Sequence, residues 1–298
     1  MPDCVRTDRT SGTRERIAFV ARDEDVSLFT CLHEPSSTAV GAIALFSSVL
    51  ADFVSNYQRE VYLARRLSEA GLMTLRYHPS GMGDSDGDPG QMTLRTLEDD
   101  AAWAAQLLSA AAGDVPMGFV GMRWGALAAA SAARARAAER PPMVLVEPVT
   151  DFRRYFREAW RSRAMSALTA SDSAAGKKQK LQDVLSAQGW ADVVGNVIHA
   201  SLYDSVIEHD ALAEFDDISG DVLLVQFQGR ELRPDHRAIV ERLRANGASV
   251  DTSIVDVEES WWFRSGPKVV LHPELNEQVA TWLASRLNGS GTADDHHV

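Results

Sequence analysis

Five stretches of this chain run apolar where a half-exposed strand would alternate: Gly41–Val49, Leu72–His78, Met117–Met122, Pro142–Pro148 and Asp221–Phe227. A strand of that kind is buried on both faces, which requires helices above and below a largely parallel sheet. The intervening stretches supply them. NYQREVYLARRLSEAG, TLEDDAAWAAQLLSAA and GALAAASAARARAA are helical in pattern, and each is followed within a few residues by Gly or Pro. Strands alternating with helices specify a doubly wound α/β sheet. Ahead of them, Arg16 to Leu32 alternates apolar and polar residues around Arg22-Asp23-Glu24-Asp25, the pattern of an antiparallel hairpin.

The alternation stops between Asp151 and Phe215, where FRRYFREAWRSRAMSAL and KQKLQDVLSAQ are helical and no apolar strand is evident. It resumes with DVLLVQF, PDHRAIVERLRANG, SVDTSIVDV and PELNEQVATWLASRL. The expected organisation is one α/β core of residues 15–150 and 216–288, a helical cap inserted over 151–215, and flexible ends at 1–14 and 289–298.

The bulk numbers exclude some functions. A formal net charge of −12 opposes attraction to nucleic acid and to anionic membrane. The two cysteines, Cys4 and Cys31, form no CxxC pair, and no Cys/His cluster has zinc spacing, so neither a disulfide framework nor a metal site is expected. No apolar run approaches the roughly 18 residues of a membrane span. The expectation is a soluble cytoplasmic protein without a cofactor.

Two segments carry the chemistry. RYHPSGMGDSDGD (Arg76–Asp88) is a glycine-rich loop after a buried strand, and FVGMRWGALAAA (Phe119–Ala130) passes from strand to helix through Gly121-Met122-Arg123-Trp124-Gly125. Both resemble the α/β-hydrolase superfamily, the second being similar to its GxSxG nucleophile elbow with arginine where serine belongs. The nearest likeness is to exosortase A system-associated hydrolases of the second type, which carry arginine at this point. It extends to VLVEPVTDFRRYFREAWRSR (Val144–Arg163) and to Trp261-Trp262-Phe263, and spans roughly Gly41 to Leu283. At the oxyanion loop, Phe46-Ser47-Ser48 departs from the superfamily's pattern. The resemblance implies an α/β-hydrolase fold: a mostly parallel sheet flanked by helices, with an inserted helical cap.

A serine hydrolase needs a nucleophile, a histidine to take its proton, a carboxylate to orient the histidine, and N–H donors for the oxyanion. Arg123 cannot attack an acyl carbon, because a guanidinium stays protonated at neutral pH. Glu231 is the only carboxylate between Phe227 and Pro234, and could equally be a solvated loop residue. No histidine follows Val257 until His272. Arg123, His272 and Glu231 are therefore the candidates for an unorthodox catalytic set of hydrolase, acyltransferase or lyase type.

The other reading is a pseudo-enzyme that binds a small anionic or acyl ligand, or a protein partner, in the old active-site cleft. Arg123 and the start of the following helix would hold the anion, with Trp124, Ser47, Ser48, Phe156, Trp160 and Trp261 around it. A third reading makes Arg123 an internal ion pair with Glu231, Asp84 or Glu147. The stripe Arg153, Arg157 and Arg161 extends the anion site or is a solvated face.

Overall fold

The computed structural model describes residues 4–169, 179–193, 195–256 and 271–289. Its centre is a nine-stranded sheet built from β1 (Cys4–Thr7), β2 (Arg14–Ala21), β3 (Ser27–Glu34), β4 (Gly41–Phe46), β5 (Leu72–Tyr77), β6 (Met117–Met122), β7 (Met143–Val146), β10 (Asp221–Phe227) and β11 (Ser249–Val255). The spatial order is β1-β2-β3-β5-β4-β6-β7-β10-β11. The pairs from β1 through β3 to β5 are antiparallel and all the others parallel. Burial explains the apolar runs: every residue of β4, β6 and β7 is buried.

Helices α1 (Ala51–Glu69), α2 (Leu94–Ala112) and α3 (Gly125–Ala135) link the central strands, while α7 (Pro234–Ala245) and α8 (Pro273–Gly289) follow β10 and β11. One core joins the sheet to α2, α3 and α7, and a second joins it to α1 and α8. The mostly parallel sheet with helices on both faces is the doubly wound arrangement that the alternation of runs and helices predicts. No helix among the described residues is long and apolar enough to cross a membrane.

Between β7 and β10 the chain inserts α4 (Phe152–Thr169), α5 (Leu181–Gln188), a hairpin of β8 (Trp190–Val193) and β9 (Asn196–His199), and α6 (Ala200–Val206). The hairpin corrects the expectation that this segment lacks strands. Its strands are only four residues long, and in β8 just Ala191 and Val193 turn inward, too short an alternation to stand out. A second correction concerns the N-terminal end. Cys4–Thr7, expected to be flexible, pairs with β2 as an edge strand, and all four of its residues are exposed, so no apolar pattern announces it.

Candidate functional site

The elbow is assembled at the carboxyl end of β6. Arg123 has φ 54°, a left-handed conformation that costs a bulky residue about 1–3 kcal/mol. Neighbouring backbone enforces it: the Arg123 N–H donates to Val146 O at 2.9 Å, and its carbonyl accepts from Ala126 N at 3.2 Å. The two glycines are required by close approach. A Cβ on Gly121 would lie 2.4 Å from Gly125 O, and one on Gly125 would lie 2.1 Å from Phe46 O. The strand-turn-helix geometry anticipated from GMRWG is thus present, with a guanidinium where a nucleophile would stand.

Arg123 is 6% exposed. Its Nε donates to an Asp52 carboxylate oxygen at 2.9 Å, its Nη1 donates to the Glu147 carbonyl at 3.2 Å, and the Tyr155 ring centroid is 5.9 Å away. Asp52 is fully buried in the first turn of α1. Burial raises its carboxyl above the ordinary range, against the pull of the guanidinium beside it. Glu147, itself at φ 51°, is buried too, and burial pushes its carboxyl up. That carboxylate accepts from the Phe227 N–H and from Arg233, Nη1 at 3.2 Å and Nη2 at 2.5 Å. Arg233 Nη2 lies 2.8 Å from His236 Nε2. Burial first, then the Arg233 charge, lowers His236 to about 4, so the ring is neutral at pH 7 and can accept from the guanidinium. Asp52, Arg123, Glu147 and Arg233 form a chain of alternating charge through the place where a catalytic triad would be organised.

Of the three ion-pair partners offered by the sequence, Glu147 is the one beside Arg123, at 3.9 Å between Nη1 and Oε2. Asp84 sits 3.4 Å from His78. The Glu231 carboxylate, its side chain 84% exposed, lies 3.5 Å from Arg237. The residue directly after β10 is Gln228, with φ 62°. His272 packs against Phe227, centroids 5.5 Å apart, and burial lowers its pKa. It shares a cavity of about 10 Å³ with Arg59 and Met122, while Arg123 borders a different cavity. The described geometry therefore does not gather Arg123, His272 and Glu231 around one point.

The other candidates are chiefly packing groups. Ser47 Oγ donates to Tyr77 O at 3.4 Å, Ser48 Oγ donates to Met122 O at 3.2 Å, and the Ser48 N–H donates to Glu60 at 3.2 Å. Trp124 packs against Phe152, Tyr155 and Phe156, with centroids 4.6, 5.3 and 5.9 Å away. Trp160 Nε1 donates to Gln179 O at 2.9 Å. Trp261 lies outside the described residues. Arg153, Arg157 and Arg161 are exposed, and Arg153 pairs with Glu208.

Sequence reasoning missed Asp52, which lies ahead of the helix expected from Asn56 and was not singled out. The available signal was the spacing of Asp52, Asn56 and Glu60 at i, i+4 and i+8, a polar stripe on a helix bound to bury its inner face. All three are fully buried.

Between the elbow and α4 a cavity of about 60 Å³ is bounded by Arg123, Arg154 and Arg233 and by Asp151, Glu158 and Asp235, with Tyr155 among its walls. No cluster of three His, Cys, Asp or Glu among the described residues is placed to hold a metal ion.

No protein-family model matches the chain, and no curated protein sequence matches it. Solved structures do. Est1E from Butyrivibrio proteoclasticus, solved with ferulic acid bound, superposes with a TM-score of 0.62 at 16% identity, over 90% of this chain and 98% of that one. A proline iminopeptidase from Mycobacterium smegmatis gives 0.61 at 14% identity, over 92% and 99%. An esterase from Pyrococcus furiosus gives 0.58 at 12% identity, over 92% and 91%. At such identities the likeness shows the fold: this is an α/β-hydrolase-fold protein.

Proposed function

We propose that this protein is a non-hydrolytic member of the α/β-hydrolase superfamily that acts by binding a ligand or partner, with residues 151–215 as a cap over the former active-site cleft. One observation carries the reading. At the point where the fold presents a nucleophile, the chain presents a guanidinium held by the Asp52 carboxylate at 2.9 Å. The arginine-bearing elbow it shares with exosortase A system-associated hydrolases of the second type supports it. The full-length protein is expected to leave p-nitrophenyl esters intact and to resist a serine-directed fluorophosphonate, as followed by mass spectrometry. Stoichiometric labelling of Ser47, Ser48 or any other serine would overturn the proposal.

A narrower form of the reading makes Arg123 a contact for an anionic ligand. It draws on the cavity of about 60 Å³ that Arg123, Arg154 and Arg233 border, together with Asp151, Glu158 and Asp235. Such a volume holds about two water-sized groups, so the anion would be as small as formate or acetate. Calorimetric titration with short and long carboxylates is expected to show binding of the short ones alone. Arg123→Lys should weaken that binding, because the planar two-donor edge is lost while the charge remains. Equal affinity of wild type and variant would remove Arg123 from the site.

A further inference from the structure

A second cavity, of about 310 Å³, is bordered by neither Arg123 nor Trp124. Its walls come from elements distant in sequence: Leu50, Phe53 and Val54 around the start of α1, Met82 and Met92 from the glycine-rich loop and the turn after it, and Val197 from β9. Core and insertion thus each supply part of it. Leu50 stands at φ 57°, a conformation uncommon for a bulky residue that concentrates at ligand and active sites. The two methionines are flexible, polarisable side chains suited to moulding around an apolar guest.

The surface beside the cavity is also unusual. Val54 is 70% exposed and Val197 44% exposed, two apolar side chains from α1 and β9 at its border. They mark the entrance.

The lining also fixes the polarity of the occupant. Asn196 and His199 are its hydrogen-bonding side chains, and no Lys, Arg, Asp or Glu is among the described residues that border it. Moving a carboxylate into such surroundings without a cation to meet it is strongly unfavourable, whereas an amide or hydroxyl needs only a hydrogen-bond partner. At about 30 Å³ for each water-sized group, the volume admits about ten non-hydrogen atoms.

We propose that this cavity binds a neutral medium-chain amphiphile, its aliphatic tail among Leu50, Phe53, Met82 and Met92 and its uncharged polar end toward Asn196 and His199. The proposal goes beyond the elbow reading and does not rest on it. Ester hydrolysis by the protein would overturn the elbow reading and leave the following titrations as they stand.

The test is calorimetric titration of the full-length protein at pH 7.5 with octanamide, octan-1-ol and octanoate. The two neutral compounds are expected to bind, and octanoate to bind at least tenfold more weakly than octanamide. Val54→Trp and Val197→Trp, both at exposed positions, should each weaken octanamide at least tenfold without moving the thermal unfolding midpoint. Val5→Trp, on the edge strand β1, should leave the affinity unchanged. Failure of both neutral compounds to bind, octanoate binding as tightly as octanamide, or wild-type affinity in both entrance variants would each overturn the proposal.

Discussion

An arginine side chain exposed to 7% is tolerable only where its charge is met, and at Arg123 the Asp52 carboxylate meets it. Removing one partner of a buried pair strands the other and costs about 3–5 kcal/mol. Arg123→Ala should therefore lower stability by that amount, as read from the urea unfolding midpoint, and Asp52→Ala should do likewise. The double variant should lose less than the sum of the two, because contacting residues couple by about 0.5–3 kcal/mol. Strict additivity would mean the two charges do not sense each other. The sequence supplied half of this arrangement. Glu147 could be offered because it ends an apolar run at the elbow's own level, as one candidate among three. Asp52 was not among those candidates: the only local sign of its burial is the polar stripe it shares with Asn56 and Glu60, and the partner it meets lies 71 positions away.

At the level of the element, the elbow is a contact between three pieces of backbone. β6 ends, α3 begins, and the end of β4 presses on the first residue of α3 so closely that a Cβ on Gly125 would sit 2.1 Å from Phe46 O. Gly125→Ala should lose more than about 3 kcal/mol, above the common range for an overfilled core, or fail to fold in expression trials. Gly113→Ala is the comparison, because its added Cβ meets nothing within 4 Å and only its φ of 70° is unfavourable. It should lose about 1 kcal/mol, at the low end for a left-handed residue. Equal losses at the two positions would show that the elbow's backbone has room to relax. Such elements were readable where burial on two faces writes a continuous apolar run, as in β4 and β6. They were not readable in β1 and β8, which are four residues each and leave four and two of them exposed.

Among the described residues, three histidines are buried and neutral: His33 is lowered to about 3, and His78 and His236 to about 4, in each case chiefly by burial. A histidine whose folded pKa lies below its unfolded value of about 6.5 is neutral in both states above that pH. It then contributes its full stability. As the pH falls from about 6.5 toward 4, the unfolded chain binds a proton that the folded chain does not, and stability is lost. Burial raises the carboxyls of Asp52, Glu60, Asp100 and Glu147. Those groups act in the opposite sense, since the stability they contribute at low pH is lost as the pH rises through their folded values. The contribution of one histidine is therefore isolated by its variant. His236→Gln should show a smaller drop in thermal midpoint between pH 7 and pH 5 than wild type. Identical slopes would show that His236 titrates alike in both states.

The buried pair of Arg123 and Asp52 also bears on which sequence changes are open to this chain. A domain's net stability is about 5–15 kcal/mol, and stranding either charge consumes about 3–5 kcal/mol of it. Writing serine at position 123 leaves Asp52 in the dark with no cation, and neutralising Asp52 first strands the arginine. Each single step toward a serine elbow therefore passes through a less stable intermediate. Positions 52 and 123 are thus tied together, and the stability cost of a serine elbow is avoided only when both change. The stabilities of Arg123→Ser, Asp52→Asn and their double variant measure the height of that step.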